Sequence, residues 1–345
     1  YAQPMDVEGF VGAFHSEPVD SPDDIGRHYL ELTATEEELL SYVSSQFDNV
    51  IVLINSGNAM DLSFLNKEEY GVDACLWIGN PGQDGLYAVG DLLNGTANPS
   101  GKTVDTYAYD PPGAPAAVNF GDFRMEKADD AIHNAYVVYQ EGIYGGYRYY
   151  ETRYEDCILG AGNAASAAGV TADGADEWVY ADEVQFPFGY GLSYTEFEKE
   201  LVSSSIEDGK FVFEVKVTNT GSVEGKEVVQ VYVQNPYTEY DKANGIEKSA
   251  VQLCGFAKTE MIGPGESETV TVAVAEEELK TYDASADQGN GTYILEEGEY
   301  YFTAADDAHH AINNILAAKG AEGMDGKADS RLVKSFSVES SDAYA

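Results

Sequence analysis

The residues best suited to ligand chemistry are aromatic and cluster in one segment, YQEGIYGGYRYYETRYED, at residues 139–156. Six of its residues are tyrosines and three are glycines. Tyr144 and Tyr147 could bind a substrate, because an aromatic ring face matches the C–H face of a pyranose sugar. The same composition suits close packing, since glycine lets backbones approach and tyrosine buries a large ring with one polar end. We favour the packing interpretation, at a seam between two domains.

Other chemistry-bearing residue types lack the spacing that their chemistry needs. GNPGQDG at 79–85 is neither a dinucleotide fingerprint nor a phosphate loop with its lysine, and it predicts a strand-to-helix turn. LINSG at 53–57 is not a serine nucleophile elbow. His309 and His310 are adjacent, and neighbours on a helix diverge by about 100°, so one ion could not easily bind both. We predict no metal site and place both histidines on a surface helix face.

The three cysteines form no CxxC pair and no zinc-ligand pattern. Cys75, Cys157 and Cys254 lie far apart in sequence, mostly among apolar neighbours, and are predicted to be small buried side chains. Their small, odd number argues against a disulfide framework and favours a cytoplasmic location slightly over a secreted one. The compartment otherwise stays open.

Charge excludes two classes of partner. The chain of 345 residues has a formal net charge of −42, with 61 acidic against 19 basic residues. Such a surface repels nucleic acid and anionic lipid, so we predict no nucleic-acid and no membrane partner. A neutral sugar would feel little of this field. No apolar run approaches the roughly 18 residues of a membrane span, and the length suits about two domains.

The elements that must position any site begin with an α/β alternation. LTATEEELLSYVSSQ at 32–46 is an amphipathic helix, in which Thr33 and Thr35 each precede a glutamate at the capping-box spacing. VIVLINSG at 50–57 predicts a strand buried on both faces of a parallel sheet. A helix near 61–70, a strand and turn over 73–82 and a helix over 83–95 follow, which indicates parallel strands.

The pattern then changes twice. Residues 96–197 are rich in proline, glycine and aromatic residues, and the segments 139–156 and 184–197 are predicted to be ordered loops. Beyond residue 200, alternation of period two predicts an antiparallel β-sandwich. One interruption, DDAHHAINNILAAKG at 306–320, predicts a helix that ends at Gly320.

Several motifs in this order closely resemble the C-terminal half of glycoside hydrolase family 3, the β-glucosidase and β-xylosidase family. They are IVLINSGNAMDLSFL, ACLWIGNPGQDGLYAVGDLLNGTANPSGK, the tyrosine segment, FPFGYGLSYTEF, VTNTGSVEGKEVVQVYV and LCGFAKTEMIGPGESETVTVAV. The resemblance covers about residues 29–338. It implies a mostly parallel α/β sandwich at 1–196, a fibronectin type III-like domain at 197–338 and a tail at 339–345, with a (β/α)8 catalytic barrel expected in the full-length protein. The helix at 306–320 resembles an insertion of members in which these domains precede the barrel, so the side of the barrel stays open.

The resemblance also implies where catalysis occurs. Retaining glycosidases use two carboxyl groups, a nucleophile and an acid/base. The family's nucleophile is an aspartate on the barrel and is therefore expected outside this chain. Its acid/base is commonly a glutamate in a G-E-G-x-D-like loop, to which HSEPVDSP offers Glu17 with Asp20, although Ser16 and Pro18 replace the glycines. Alternatively, the glutamate precedes Tyr1.

Two functions remain at this point. The first is the accessory half of an exo-acting, retaining β-glycosidase that hydrolyses terminal β-glycosidic bonds without a cofactor, this chain alone being inactive. The second is a carbohydrate-binding or surface-assembly protein without catalysis. In both, the ligand is a β-linked oligosaccharide or glycoside. The sequence does not fix the sugar, the linkage or the oligomeric state, and a bacterial source is favoured.

Overall fold

The computed structural model describes residues 22–24, 27, 30–118, 123–124, 135–136, 139, 141–163 and 178–338. The chain divides into two compact units, each made of separate segments. The first unit contains residues 1–94, 106–141 and 168–186, and the second contains residues 95–105, 142–167 and 187–345. The domain bounds at 196 and 338 stay predictions.

The regular elements follow in chain order. The helices are α1 Ala34–Gln46, α2 Gly85–Leu93, α3 Pro115–Val118, α4 Tyr147–Leu159, α5 Tyr180–Glu183, α6 Glu239–Asn244, α7 Ala286–Gly289 and α8 Ala308–Ala318. The strands are β1 Val50–Ile54, β2 Val72–Trp77, β3 Tyr107–Ala108, β4 Phe123–Arg124, β5 Ala135–Tyr136, β6 Val184–Phe186, β7 Phe197–Glu207, β8 Lys210–Asn219, β9 Val228–Gln234, β10 Gln252–Lys258, β11 Ser267–Ala275, β12 Thr281–Asp283, β13 Thr292–Ile294, β14 Gly298–Ala305 and β15 Val333–Val338.

The first unit has a parallel pair of strands, as the alternation of strand and helix predicts. β1 and β2 pair with Ile54 opposite Trp77. Burial on both faces of β1 is wrong, because Val52 and Ile54 contact the core whereas Ile51 is 51% exposed. The core itself consists of Ile54, Met60, Leu62, Phe64, Tyr70 and Tyr107.

The single helix expected near 61–70 is wrong. Two short 3-10 helices, Ser63–Asn66 and Glu68–Tyr70, occupy this stretch. The Asp61 carboxylate accepts a hydrogen bond from the Ser63 backbone at 2.7 Å, a local bond that competes with continuous helix. The second 3-10 helix ends at Gly71, whose φ of 51° is left-handed.

Helix α1 begins at the first of its two candidate caps. The Thr33 hydroxyl accepts from the Glu36 backbone at 3.3 Å, and the Glu36 carboxylate accepts from the Thr33 backbone at 2.8 Å. We expect Thr33→Ala to lower the free energy of unfolding by about 1 kcal/mol, because alanine has no hydroxyl to accept from the Glu36 backbone. Urea unfolding followed by circular dichroism measures it. Thr35→Ala is the control, and an equal loss there would contradict the assigned cap.

The second unit is the antiparallel β-sandwich that period-two alternation predicts. One sheet has the strand order β10-β9-β14-β15 and the other has the order β11-β8-β7. β8 alternates strictly, with Val215 and Val217 fully buried between exposed or half-buried neighbours. Phe302 of β14 lies against Phe211, Phe213 and Phe336 with ring centroids 5.0–5.8 Å apart. Aromatic contacts of this kind stabilise a core beyond its buried area.

Two helices are built into this second unit. Helix α8 confirms the helix predicted at 306–320, and Asp307 caps it by accepting from the His310 backbone at 2.8 Å. Helix α4 replaces most of the ordered loop predicted at 139–156, so that prediction is wrong. Its N-terminus follows Gly146, and its last residue, Leu159, precedes Gly160, whose φ of 63° is left-handed. Among the described residues, no helix is both long and apolar enough to cross a membrane.

Candidate functional site

The first unit has a shallow depression of about 530 Å³ at the carboxyl ends of β1 and β2. Its lining consists of Asn55, Ile78, Asn80, Pro81, Gly82 and Leu86. The Asn55 amide donates to the Gly79 carbonyl at 2.5 Å and ties the two strand ends together. Carboxyl ends of parallel strands are the usual place for ligands in α/β sheets. Because this lining consists of amide and apolar groups, it can bind and orient a neutral molecule but supplies no acid or base.

The turn that forms this depression is the predicted strand-to-helix connection. Gly79 and Gly82 have φ values of 54° and 64°, which favour glycine, and α2 begins three residues after Gly82. Asp84, at the N-cap, makes no side-chain capping bond.

A second depression, of about 90 Å³, is ionic. Arg27 donates to Glu37 at 2.7 Å, and the Lys67 ammonium lies 3.4 Å from the other oxygen of Glu37. The hydrogen bond from Arg27, followed by its charge, lowers the pKa of Glu37 against the opposing effect of burial. Glu37 is therefore an ionised acceptor at neutral pH rather than a proton donor. The sequence predictions do not include this cluster, although its two basic residues belong to a set of only 19 in the chain, and that rarity could have pointed to it.

The structure places Tyr144 and Tyr147 in the second unit as packed side chains. Tyr144 has no exposed surface, and its hydroxyl donates to the Asn163 carbonyl at 2.9 Å. Tyr147 stacks on Phe188 with ring centroids 4.5 Å apart and meets Tyr232 edge-on at 6.4 Å. Its hydroxyl accepts from the Leu253 backbone at 3.1 Å. These contacts favour packing over sugar stacking for both rings. Glu17 lies outside the described residues, so its role stays a prediction.

The surface position expected for His309 and His310 is wrong, since His310 is 5% exposed and the His309 side chain 14%. His309 lies between two carboxylates, with Nδ1 2.9 Å from Glu151 and Nε2 2.9 Å from Asp325. Both ring nitrogens must donate to bond both carboxylates, which requires the imidazolium form. Tyr154 packs edge-on at 4.6 Å from the His309 ring and donates to Asn313 at 2.8 Å.

The electrostatics of His309 agree with this geometry. Burial alone would lower the pKa of His309, but the charge of Glu151 and hydrogen bonds to Asp325 and Glu151 outweigh it. The pKa of His309 is raised to about 10. The pKa of Asp325 is lowered, since the hydrogen bond from His309 and the charge of that ring outweigh the effect of burial. The cluster is thus a charged link between α4, α8 and the segment after α8. It has the form of a structural ion pair rather than of a proton-transfer site.

The cysteine prediction is correct in part. Cys157 is exposed, which is contrary to the burial predicted for it, and Cys75 and Cys254 are partly buried. Burial raises the pKa of the Cys75 thiol to about 11 and also raises that of Cys254, so both are thiols at neutral pH. Within the described residues, no three His, Cys, Asp or Glu side chains are grouped to hold a metal ion.

Two known domain families match the chain. Residues 7–147 match the Glycosyl hydrolase family 3 C-terminal domain, and residues 227–308 match the Fibronectin type III-like domain. These matches confirm the fold class, an α/β sandwich domain followed by a fibronectin III-like β-sandwich.

The similar proteins are named as β-glucosidases. A β-glucosidase of Ruminococcus albus is 34% identical over 303 residues, which is 87% of this chain and 27% of that protein. β-Glucosidase A of Butyrivibrio fibrisolvens is also 34% identical, over 81% of this chain and 30% of that protein. This chain thus spans less than a third of the length of either relative.

Solved structures give the same result. A β-glucosidase from Paenibacillus barengoltzii has 33% identity and a TM-score of 0.64, covering 90% of this chain and 29% of its own. β-Glucosidase 3B from Thermotoga neapolitana, solved in complex with glucose, has 28% identity and a TM-score of 0.63, with 90% of this chain and 34% of its own covered.

Proposed function

We propose that this chain is the accessory part of a β-glucosidase, because it belongs to glycoside hydrolase family 3 and carries its C-terminal and fibronectin type III-like domains. The parent enzyme would be a retaining, exo-acting glycosidase that hydrolyses terminal β-glycosidic bonds. One observation carries the proposal. Relatives named β-glucosidases match 87% and 81% of this chain in one collinear stretch, yet this stretch is less than a third of their length.

The chemistry divides between this chain and the rest of the parent enzyme. A retaining mechanism needs a nucleophilic carboxylate and an acid/base carboxyl about 5–5.5 Å apart. The nucleophile is assigned to a (β/α)8 barrel outside this chain. The acid/base is assigned to Glu17 or to a glutamate before Tyr1. Both steps use carboxyl groups and water alone, so the proposed reaction needs no cofactor.

The remaining role of this chain is to shape the sugar pocket. The amide-lined depression at the ends of β1 and β2 offers neutral hydrogen-bonding groups, which suit a hydroxylated, uncharged substrate. The net charge of −42 also disfavours anionic substrates.

The test compares this chain with the complete reading frame on 4-nitrophenyl β-D-glucoside. We expect no turnover by the purified chain and turnover by the complete protein. In the complete protein, Glu17→Gln lowers kcat by about 10²–10⁴-fold if Glu17 is the acid/base, whereas the nearby Glu8→Gln does not. An effect of Glu17→Gln no larger than that of Glu8→Gln rules out Glu17 as the acid/base.

Two results would overturn the proposal. The first is turnover by the purified chain that Glu17→Gln abolishes, because the chain would then hold a complete active site. The second is a complete reading frame that encodes no barrel and a product that hydrolyses no β-glycoside. Binding without catalysis would then be the better description.

A further inference from the structure

Two tyrosines stand side by side on the solvent face of a short hairpin in the second unit. β12 and β13 pair antiparallel, with Tyr282 directly opposite Tyr293. These side chains are 52% and 66% exposed, and their ring centroids lie 5.4 Å apart at an interplanar angle of 67°. Their neighbours Asp283 and Ile294 point to the opposite face and are buried. The alternation of the strands therefore presents the two rings together.

The hairpin has an anchored underside. Ile294 packs with Ile246 and Ala286 in a small core of its own. The buried Asp283 accepts from the Tyr240 hydroxyl at 2.7 Å and from the Ser285 backbone and hydroxyl at 2.7 Å each. Burial alone would raise the pKa of Asp283, but these hydrogen bonds lower it, so the carboxylate stays ionised and keeps its donors. The two rings consequently rise from a fixed base.

The turn that joins the strands also positions one ring. Gly291 has a φ of 80°, and a Cβ there would overlap the Tyr282 hydroxyl, so Tyr282 lies across this glycine. Asp287 and Gln288 have φ values of 47° and 58°, which are unfavourable for residues with side chains. Strain of this kind costs about 1–3 kcal/mol a residue and clusters at ligand clamps and other functional sites.

The area of the exposed tyrosine rings limits the size of the ligand that they can bind. Two half-exposed tyrosines offer on the order of 250 Å² of ring surface. A stable protein partner covers about 800 Å² on each side, which is several times more. One or two pyranose units match the smaller area. Their C–H faces can stack on the rings, and the turn carries the amide side chain of Gln288, which can bond to hydroxyl groups.

The negative charge of the chain argues against the other ligands that stack on aromatic rings. Nucleic acid bases also stack on tyrosine, but their phosphates meet a chain of net charge −42. The turn itself adds the carboxylate of Asp287, which binds the Asn290 amide at 3.3 Å. A neutral ligand is therefore favoured over an anionic one.

We propose that Tyr282 and Tyr293 form a carbohydrate-binding site for neutral β-linked oligosaccharides or polysaccharides. The choice of β-linked sugars rests on the proposed function, whereas the site rests on the hairpin alone. Each ring contributes a stacking face, so removing either one weakens binding and removing both abolishes it.

Native gel electrophoresis in a gel that contains hydroxyethylcellulose, a neutral soluble β-glucan, tests the site. We expect the 345-residue chain to migrate more slowly than in a plain gel. Tyr282→Thr and Tyr293→Thr each weaken retention at least about threefold, and the double variant removes it. Threonine preserves strand preference, so these variants retain the hairpin. Tyr282→Phe keeps a ring and retains binding within about twofold.

The controls separate stacking from general stickiness. Phe256→Ala removes an aromatic side chain on β10 that is 70% exposed, and retention stays unchanged. Carboxymethylcellulose, an anionic glucan with the same backbone, retards the chain less than hydroxyethylcellulose does at low salt.

Two results would overturn the site. One is no retardation of the wild-type chain by hydroxyethylcellulose. The other is retardation that persists in a double variant whose circular dichroism spectrum matches the wild type. Either result leaves the proposed function standing, because that function is measured separately as turnover of 4-nitrophenyl β-D-glucoside by the complete protein. Conversely, if the complete protein showed no turnover, the proposed function would fail, but retardation by the glucan would still support a binding site on this hairpin.

Discussion

The His309→Gln variant is expected to lower the melting temperature of the second unit by about 10 °C. Removing one member of a buried ion pair costs about 3–5 kcal/mol, since the other member loses its counter-charge inside the protein. Here the partner is Glu151, which has no exposed surface. For a domain of 150–250 residues, each kcal/mol corresponds to about 2–4 °C. Differential scanning calorimetry at pH 6 measures the change.

The matched control is Arg331→Gln, which breaks an exposed pair with Asp329. Such surface pairs contribute little to stability because water and salt screen them, so the melting temperature of this variant should stay close to that of the wild type. The double variant His309→Gln/Glu151→Gln should recover more than half of the loss, because neither member of the pair is then charged. A His309→Gln melting temperature within 2 °C of the wild type would contradict the charged link.

The same cluster predicts how stability depends on pH. The pKa of His309 is raised to about 10 in the folded state, against about 6.5 in the unfolded state. Its contribution is therefore complete below pH 6.5 and is lost as the pH rises through 10. The pKa of Asp325 is lowered in the folded state, so Asp325 contributes to stability at pH values above its unfolded pKa. This contribution is lost as the pH falls through the folded pKa. The wild type should lose more stability than His309→Gln between pH 6.5 and 10.

The Gly189→Ala variant should lose about 2–5 kcal/mol of unfolding free energy in the second unit. Gly189 has a φ of 87°, which costs an alanine about 1–2 kcal/mol. A Cβ there would also overlap the side-chain oxygen of Gln230 and crowd the Tyr232 hydroxyl at 2.9 Å. Both neighbours are buried and hydrogen-bonded to each other at 2.7 Å, so neither can move cheaply. Overpacking of this kind costs a further 1–3 kcal/mol or so.

Gly209→Ala is the control for that experiment. Gly209 has a similar φ of 75° but no atom within 4 Å of an added Cβ. The Gly209→Ala variant should therefore lose only the part of the unfolding free energy that comes from the backbone conformation, about 1–2 kcal/mol. Urea unfolding followed by far-ultraviolet circular dichroism measures both variants. Equal losses would show that φ alone determines the cost and that the contact with Gln230 is unimportant.

The strands could be predicted from sequence because their signal is local. Val215 and Val217 alternate with exposed or half-buried residues along β8, and this period-two pattern needs no knowledge of the partner strand. The run at β1 is equally local. The helix prediction around Ser63 was wrong because the hydrogen bond from the Ser63 backbone to the Asp61 side chain, two residues earlier, outweighs the helical periodicity there.

Helix α4 could not be predicted because more than half of its buried residues are polar or charged. Glu151, Thr152 and Glu155 are all buried. Their partners are His309, Ala250 and Gln234, which lie 158, 98 and 79 residues further along the chain. Hydrophobic periodicity cannot detect a face that is satisfied by distant hydrogen bonds. The same reason explains why His309 looked like a surface residue.

The wide separation of these partners along the chain determines when α4 can form its contacts during translation. At about 5–20 residues per second, the ribosome takes roughly 4–16 s to extend from Glu155 to Gln234 and about twice as long from Glu151 to His309. A 13-residue helix is marginal in water by itself. Helix α4 therefore lacks its contact with His309 on the nascent chain until α8 has been made.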